Sequence, residues 1–154
     1  MDTNQMIIIV SLAVAAMLFS AVLYLRQRAR RSKPEEYDLM EGHEFEYYCG
    51  ELLKKCGFQE VQVTRGSGDY GVDILAEKDG ITYAIQCKCY HSPIGIKAVQ
   101  EAYAGRDYYD RMVGAVMTNQ YFTSAAAEAA GKLRILLWDR GYMESMAEEA
   151  GRPF

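Results

Sequence analysis

The sequence contains little proline and no internal repeat, with 3 prolines and 13 glycines among 154 residues. These features exclude collagen-like, linker-like and solenoid proteins. Half of the residues are apolar and 25% are charged, which excludes a disordered chain. The length is that of one ordinary domain rather than two.

The chain also lacks an excess of positive charge, because 17 Lys and Arg residues stand against 21 Asp and Glu residues. The charge is unevenly divided, with a net +4 over residues 1–33 and a net −8 over residues 34–154. An acidic body ordinarily speaks against a polyanionic partner. The body therefore lacks the broad basic surface that supplies most non-specific affinity for nucleic acid.

Charge is absent from residues 6–25, which are mostly apolar. A helix of that length spans about 30 Å, the thickness of the hydrocarbon core of a bilayer. A buried core helix would be shorter. A cleaved signal peptide would begin with a cationic segment, whereas the one charged residue before this stretch is Asp2. We therefore predict a single transmembrane helix at 6–25, preceded by an extracytoplasmic tip at 1–5.

Five Lys and Arg residues follow this stretch, all between positions 26 and 33. By the positive-inside rule they place the N-terminus outside the cell and the following domain in the cytoplasm, at the cell membrane. The same cations would also favour anionic lipid. We interpret residues 26–40 as a basic juxtamembrane linker.

The four cysteines include no C-x-x-C pair. In a cytoplasmic domain we expect free thiols rather than disulfides. A zinc site formed by Cys87 and Cys89 with His43 or His91 would lack the second pair of ligands that zinc knuckles use. No organic cofactor is indicated.

The periodicity after the linker predicts one α/β domain at 41–142, followed by a C-terminal helix and tail at 143–154. The order of elements predicts a mixed central sheet with helices on its faces. The helical pattern at 95–109 places Ile96, Val99 and Tyr103 on one side of the helix. The predicted elements are helix 42–56, strands 61–64, 72–78 and 81–90, helix 95–109, strand 113–118, helix 123–133, strand 135–138 and helix 142–150.

Residues 66–71 match the pattern G-x-G-x-x-G. A dinucleotide-binding loop of that pattern must open a helix, so that the helix N-terminus meets the pyrophosphate. A strand pattern follows here instead. We interpret the segment as a turn whose glycines accept positive φ.

A two-residue turn at Asp79-Gly80 predicts a β-hairpin in which the numbers of paired residues sum to 159. In that register Asp73 lies opposite Gln86, and Lys88 projects from the same face two residues farther on. A slip by one residue would turn the apolar residues of both strands to the polar face. The hairpin therefore gathers a carboxylate, an amide oxygen and an ammonium group.

Carboxylate and amide oxygens are ligands suited to Mg²⁺, and we expect Mn²⁺ to substitute. A nearby lysine can orient or deprotonate an attacking water, or stabilise charge that develops on a phosphate. Together these groups are the parts for metal-assisted phosphodiester hydrolysis. The alternative interpretation is an Asp–Lys ion pair on a solvated sheet face.

Several motifs occur in a fixed order along the body of the chain. They are Gly42-His43-Glu44-Phe45-Glu46, Gly68-Asp69-x-Gly71-Val72-Asp73-Ile74, Gln86-Cys87-Lys88-Cys89-Tyr90, Ala98-Val99-Gln100-Glu101, Thr118-Asn119 and Leu137-Trp138-Asp139-Arg140. With these motifs residues 41–142 resemble the catalytic domain of the Mrr-type restriction endonucleases, in the PD-(D/E)xK nuclease superfamily. The resemblance implies a restriction-endonuclease-like core in the order αβββαβ, extended by a helix and a final strand.

The resemblance also implies roles for particular residues. Asp73 matches the metal-binding aspartate, Gln86 matches a glutamine that replaces the usual second acid, and Lys88 matches the catalytic lysine. Glu46 matches an acid that can complete the metal site. Gln100 and Glu101 match a segment near the site and are auxiliary candidates.

The function that follows from the resemblance is a membrane-anchored, Mg²⁺-dependent endodeoxyribonuclease of the restriction type. Its expected partners are double-stranded DNA, in the best-known members of the family with modified bases, and the membrane, with a homodimer allowed. The alternatives are a repair or junction-resolving nuclease, and a non-catalytic membrane-tethered binding module on the same fold. The pair Tyr108-Tyr109 could stack on bases or pack in the core.

Overall fold

The chain divides into two compact units, Met1–Glu35 and Glu36–Phe154. In the first unit, residues 12–22 are helical and their side chains are exposed. The computed structural model describes Met6 and residues 12–22, 36–64 and 70–151.

The transmembrane helix predicted at 6–25 lies partly outside the described residues, because 7–11 and 23–25 are not among them. The predicted tip at 1–5 and residues 26–35 of the predicted linker lie outside them as well. Within the part of the chain that the structure describes, no helix is both long and apolar enough to cross a membrane.

The second unit is built on a five-stranded sheet in the order β1-β2-β3-β4-β5. The first three strands pair antiparallel, and β3, β4 and β5 pair parallel. This arrangement confirms the predicted α/β class with a mixed sheet. The strands are β1 (Gln59–Val63), β2 (Ile74–Lys78), β3 (Ile81–Lys88), β4 (Val113–Thr118) and β5 (Ile135–Trp138), and the helices are α1 (Gly42–Lys55), α2 (Ile96–Tyr108), α3 (Ser124–Leu133) and α4 (Arg140–Ala150).

The hairpin of β2 and β3 has the predicted register, with Ile74 opposite Ile85 and Lys78 opposite Ile81. Asp79 and Gly80 both have positive φ, 52° and 75°, as a type I′ turn requires. Ile74 and Ile85 are fully buried, so the apolar face of the hairpin lies in the core. The turn and the apolar pattern together determine which side chains reach the opposite face.

The core forms two layers, one on each face of the sheet. Phe45 and Leu53 of α1 pack with Met143 of α4 on one face. Val99 of α2 and Ala126 of α3 pack on the other. Burying one Phe or Leu side chain stabilises the fold by roughly 1.5–3 kcal/mol, so the layer of α1 and α4 holds the larger apolar residues and contributes more per residue.

The buried face of α2 does not follow its largest apolar residues. Val99 is buried, but Ile96 is 44% exposed and Tyr103 is 37% exposed. The helix buries a stripe of small residues, Ala98, Ala102 and Gly105 with Val99. Close approach is the reason at Gly105, where an added Cβ would lie 2.3 Å from Cγ2 of Val72.

The end of the predicted linker contacts the domain through Tyr37 and Asp38. Tyr37 is 6% exposed, and Asp38 forms an ion pair with Arg140 at the start of α4. Asn119 donates from Nδ2 to Asp38 Oδ1 at 3.0 Å. The polar composition of this segment concealed one buried aromatic ring and one buried ion pair. The last helix begins earlier than predicted because Asp139 caps it, accepting from the backbone N–H of Tyr142 at 3.0 Å.

Candidate active site

Five of the six predicted site residues line one open cavity of about 530 Å³. The cavity lies where β2 begins and β3 ends, and the first half of α2 closes one side. The predicted residues that line it are Asp73, Gln86, Lys88, Gln100 and Glu101. The hairpin and the helix that follows it therefore bring Asp73 together with residues that lie 13 to 28 positions later in the chain.

Asp73 lies just before β2, where the regular pairing with β3 stops. Its backbone N–H donates to the carbonyl of Ile85 at 2.9 Å. Its carboxylate accepts from the backbone N–H of Cys87 at 2.6 Å and from Nε2 of Gln86. Asp73 is 7% exposed, so these two donors orient a nearly buried carboxylate at the edge of the cavity.

Gln86 is 4% exposed, and the two polar atoms of its side-chain amide differ in their hydrogen bonding. Its Nε2 donates to Asp73, while its Oε1 is buried and accepts no hydrogen bond from any described residue. A buried acceptor without a partner costs roughly 1–3 kcal/mol. An amide oxygen held beside a carboxylate in this state is suited to contact a cation or a bound water.

Lys88 forms an ion pair with Glu101, with Nζ 2.9 Å from Oε2. Burial lowers the pKa of Lys88, but the hydrogen bond and charge of Glu101 outweigh burial, and the pKa of Lys88 is raised above its ordinary value. Lys88 is therefore an ammonium group at neutral pH. Lys97 lies 3.7 Å from the other carboxylate oxygen of Glu101, so Glu101 lies between two cations.

Glu46 does not line the cavity. Its Oε2 lies 2.9 Å from Nδ1 of His43, one turn earlier on α1. The pKa of the Cys87 thiol is raised well above its ordinary value, chiefly by a hydrogen bond with Cys49 and by burial, with smaller contributions from Asp73 and Glu46. Glu46 therefore lies within electrostatic range of the hairpin, and its role as a metal ligand stays a prediction.

Among the described residues, no three His, Cys, Asp or Glu side chains are grouped so as to hold a metal ion. This holds also for Cys87, Cys89, His43 and His91, the residues considered for zinc. Mg²⁺, however, keeps several waters and uses only one or two carboxylates together with phosphate oxygens of the substrate. The Asp73 carboxylate and the Oε1 of Gln86 fit such an ion.

Two cavity features were not predicted as part of the site. Gly71 has a φ of +79°, and a Cβ there would lie 3.0 Å from Cβ of Glu101 and 3.2 Å from Oε1 of Gln86. Tyr70 lines the same cavity. Gly71 was interpreted as part of a turn and of a family motif, without a role in the site. No spacing rule indicates that a turn glycine touches a helix 30 residues later. In the described part of the chain, Gly71 is followed by β2 and not by a helix, which excludes the dinucleotide interpretation.

The described domain is a mixed α/β domain in which Asp73, Gln86 and Lys88 line one cavity. The chain belongs to the Mrr_cat family of restriction endonucleases, whose model matches residues 37–147. The domain is therefore a DNA nuclease domain of the restriction endonuclease class.

The fold is also found in solved structures. A crystal structure of the protein of unknown function AF1548 shares 25% identity, with a TM-score of 0.61 over 72% of this chain and 67% of that one. The DNA modification-dependent restriction endonuclease AspBHI shares 19% identity, with a TM-score of 0.57 over 71% of this chain and 31% of that one. MspJI restriction endonuclease, in complex with a 27-mer oligonucleotide, shares 18% identity, with a TM-score of 0.48 over 68% and 27% of the two chains.

The chain thus spans less than a third of either restriction endonuclease. The comparison with curated proteins found no match.

Proposed function

We propose that this chain is a metal-dependent endodeoxyribonuclease that hydrolyses phosphodiester bonds in double-stranded DNA, with Mg²⁺ as its metal and Mn²⁺ as a substitute. One observation carries the proposal. Asp73, Gln86 and Lys88 line a single cavity, and the Gln86 oxygen in it is buried without a hydrogen-bond partner among the described residues.

Each of these residues has a distinct task in the proposed reaction. Asp73 and the Oε1 of Gln86 would hold Mg²⁺, which when bound supplies Lewis-acid polarisation of a phosphate oxygen. Lys88, an ammonium group paired with Glu101, would bind the phosphate and stabilise the negative charge that develops in the transition state. A water molecule would be the nucleophile: its oxygen forms a bond to phosphorus and the bond from phosphorus to the leaving sugar oxygen breaks. The water gives up its proton to solvent, and solvent protonates the leaving oxygen.

Cleavage of plasmid DNA by the full chain tests this function. We expect nicking with Mg²⁺ or Mn²⁺ and none with EDTA. Asp73→Asn and Lys88→Met should each lower the rate by about a hundredfold or more. Lys132→Met is the matched control, because Lys132 is also paired with a carboxylate, that of Glu128 at 2.7 Å, but lies on α3 away from the cavity.

Two results would contradict the nuclease proposal. One is full activity in both cavity variants. The other is a well-folded wild-type chain that hydrolyses no DNA with any divalent metal, which would favour the non-catalytic binding module.

The proposed cellular location is the membrane, with a single pass, the N-terminus outside and the nuclease domain in the cytoplasm. The support is the uncharged stretch 6–25 followed by five cations. After expression in bacteria, the chain should stay in the membrane fraction through an alkaline carbonate wash. Replacing Val14 and Leu18 by Arg costs roughly 2.5–3.5 kcal/mol each at a helix centre and should release it. Recovery of the wild-type chain with the soluble proteins would contradict the anchor.

The proposed biological role is restriction of foreign or modified DNA, which the description of the family as restriction endonucleases supports. Rates on plain, methylated and branched duplexes would separate the roles. Faster cleavage of the methylated duplex supports restriction. Faster cleavage of the branched one supports repair or junction resolution instead.

A further inference from the structure

One face of α2 contacts the turn before β2 at three successive helical positions. Glu101 contacts Gly71, as described above. A Cβ at Gly105 would lie only 3.0 Å from the carbonyl oxygen of Tyr70, so the backbones of helix and turn are in close contact there. One turn farther along the helix, Tyr108 meets the ring of Tyr70. The positions 101, 105 and 108 lie on one helical face, which attaches Tyr70 firmly to α2.

The two tyrosine rings stack face to face, with centroids 3.7 Å apart and planes inclined by 21°. They are nevertheless 57% and 55% exposed, so the pair stands on the surface rather than in the core. A hydrogen bond with Tyr70 raises the pKa of Tyr108, and the phenol therefore stays neutral. A neutral, rigid, exposed pair of rings is a surface on which a flat apolar group can stack.

We propose that Tyr70 and Tyr108 form a stacking platform for an unpaired nucleobase of the DNA substrate. The proposal rests on the nuclease function proposed above. Tyr70 lines the same cavity as Asp73 and Lys88, so a strand whose phosphate enters the cavity passes beside the rings. Every base offers a π-face, but a paired base within a duplex does not expose it.

The spacing on α2 indicates where that base lies. Seven residues separate Glu101, which contacts Lys88, from Tyr108, and they correspond to about 10.5 Å along the helix axis. Successive nucleotides of a strand are about 3.4 Å apart in a helical arrangement. A strand that runs along α2 from Lys88 to the rings would place the stacked base about three nucleotides from the phosphate that Lys88 binds. The preferred substrate class is DNA with unpaired bases close to the cleavage point, such as gapped or bulged duplexes.

The test compares gapped and fully paired duplexes that carry 2-aminopurine at successive positions from the cleaved phosphate. Binding is measured on the full chain in detergent micelles, in an Asp73→Asn background that prevents cleavage. We expect Tyr108→Leu to weaken binding of the gapped duplex by about tenfold or more and to leave the paired duplex unchanged. Quenching of 2-aminopurine should be strongest about three nucleotides from the cleaved phosphate.

Three further variants give this test its controls. Tyr108→Phe keeps the ring and should bind like the parent chain. Tyr70→Asn removes the other ring with a residue that tolerates the φ of 50° at this position, and should weaken binding in the same way. Tyr142→Leu is the matched control, because Tyr142 is also an exposed tyrosine stacked on another ring, that of Trp138, away from the cavity.

Three outcomes are informative in different ways. The platform would be overturned if Tyr108→Leu bound the gapped duplex as tightly as the parent chain does. A change of oligomeric state in Tyr108→Leu would overturn it too, because the rings would then contact a second copy of the chain. Failure of the wild-type chain to cleave any DNA, with Tyr108-dependent binding of gapped DNA intact, would overturn the nuclease function and leave the platform standing.

Discussion

The two walls of the cavity are built by different means. The hairpin wall carries Asp73, Gln86 and Lys88, and local rules position them: a two-residue turn, strand alternation and an apolar opposite face. The helix wall carries Glu101, and it is positioned by close approach of α2 to the turn before β2. The hairpin wall depends on the side chains that it carries. The helix wall depends on Gly71 and Gly105, because a side chain at either position would prevent the close contact.

Substitutions in the two walls are therefore expected to act differently on the site. A change in the hairpin wall removes a chemical group and leaves the geometry in place. A change at a contact glycine removes no chemical group, but it displaces Glu101 relative to Gln86 and Lys88. The glycine variants therefore separate positioning from chemistry.

The largest expected effect among the glycine variants is that of Gly71→Ala on cleavage. The added Cβ would lie about 3 Å from Glu101 and Gln86, and misplacement of catalytic groups by about 1 Å can lower a rate about a hundredfold. Gly80→Ala is the matched control, with a similar φ of +75° and nothing within 4 Å of its Cβ. Both variants should lose about 1–2 kcal/mol of stability from the left-handed backbone, and only Gly71→Ala should lose activity. Equal cleavage rates in the two variants would contradict the role of this contact.

Gly105→Ala should have the next largest effect, on stability. Its Cβ would lie 2.3 Å from Cγ2 of Val72, and such overpacking costs about 1–3 kcal/mol, more than the gain in helix propensity. In Gly131→Ala, on α3, nothing lies within 4 Å of the added Cβ, and this change should stabilise the protein by about 0.5–1 kcal/mol. Thermal unfolding of both variants measures the difference. Stabilisation by both would show that α2 does not pack as closely as described.

The same comparison explains how much could be predicted from the sequence. The hairpin register was predictable because Asp79-Gly80 and the alternating apolar residues agree on one pairing. The buried face of α2 was not, because Ala98, Ala102 and Gly105 carry no strong apolar signal, and their burial depends on the sheet they meet. The ion pair of Lys88 with Glu101 joins two elements whose distance no sequence period encodes.

A smaller effect is expected on the pKa of Lys88 when Glu101 is neutralised. Glu101 raises this pKa above its ordinary value and burial lowers it, so Glu101→Gln leaves burial as the main influence. The pKa of Lys88 should then fall. In the wild-type chain the ion pair contributes stability below the ordinary lysine pKa, and this stability is lost as the pH rises through the raised pKa. In Glu101→Gln this contribution should be absent at every pH. The ¹³Cε shift of Lys88 as a function of pH measures this directly. Glu128→Gln, which unpairs the exposed Lys132, should leave the Lys88 titration unchanged.

The smallest expected effect concerns the salt dependence of duplex binding. The acidic body has few cations at the cavity, so we expect weak binding whose affinity falls with salt, with a slope well below that of proteins making many phosphate contacts. Lys97, whose side chain is 87% exposed at the cavity, should contribute one such contact. Lys97→Ala should lower the slope by about one, measured by anisotropy over a series of salt concentrations. Tight duplex binding at high salt would contradict this account.

The central claim is that one divalent cation is held by the Asp73 carboxylate and the Gln86 amide oxygen. Mn²⁺ binding to the full chain, followed by electron paramagnetic resonance without DNA, tests it independently of activity. We predict one bound Mn²⁺ in the wild-type chain and its loss in both Asp73→Asn and Gln86→Leu, with Glu128→Gln unaffected. Unchanged Mn²⁺ binding in the two cavity variants would contradict the claim.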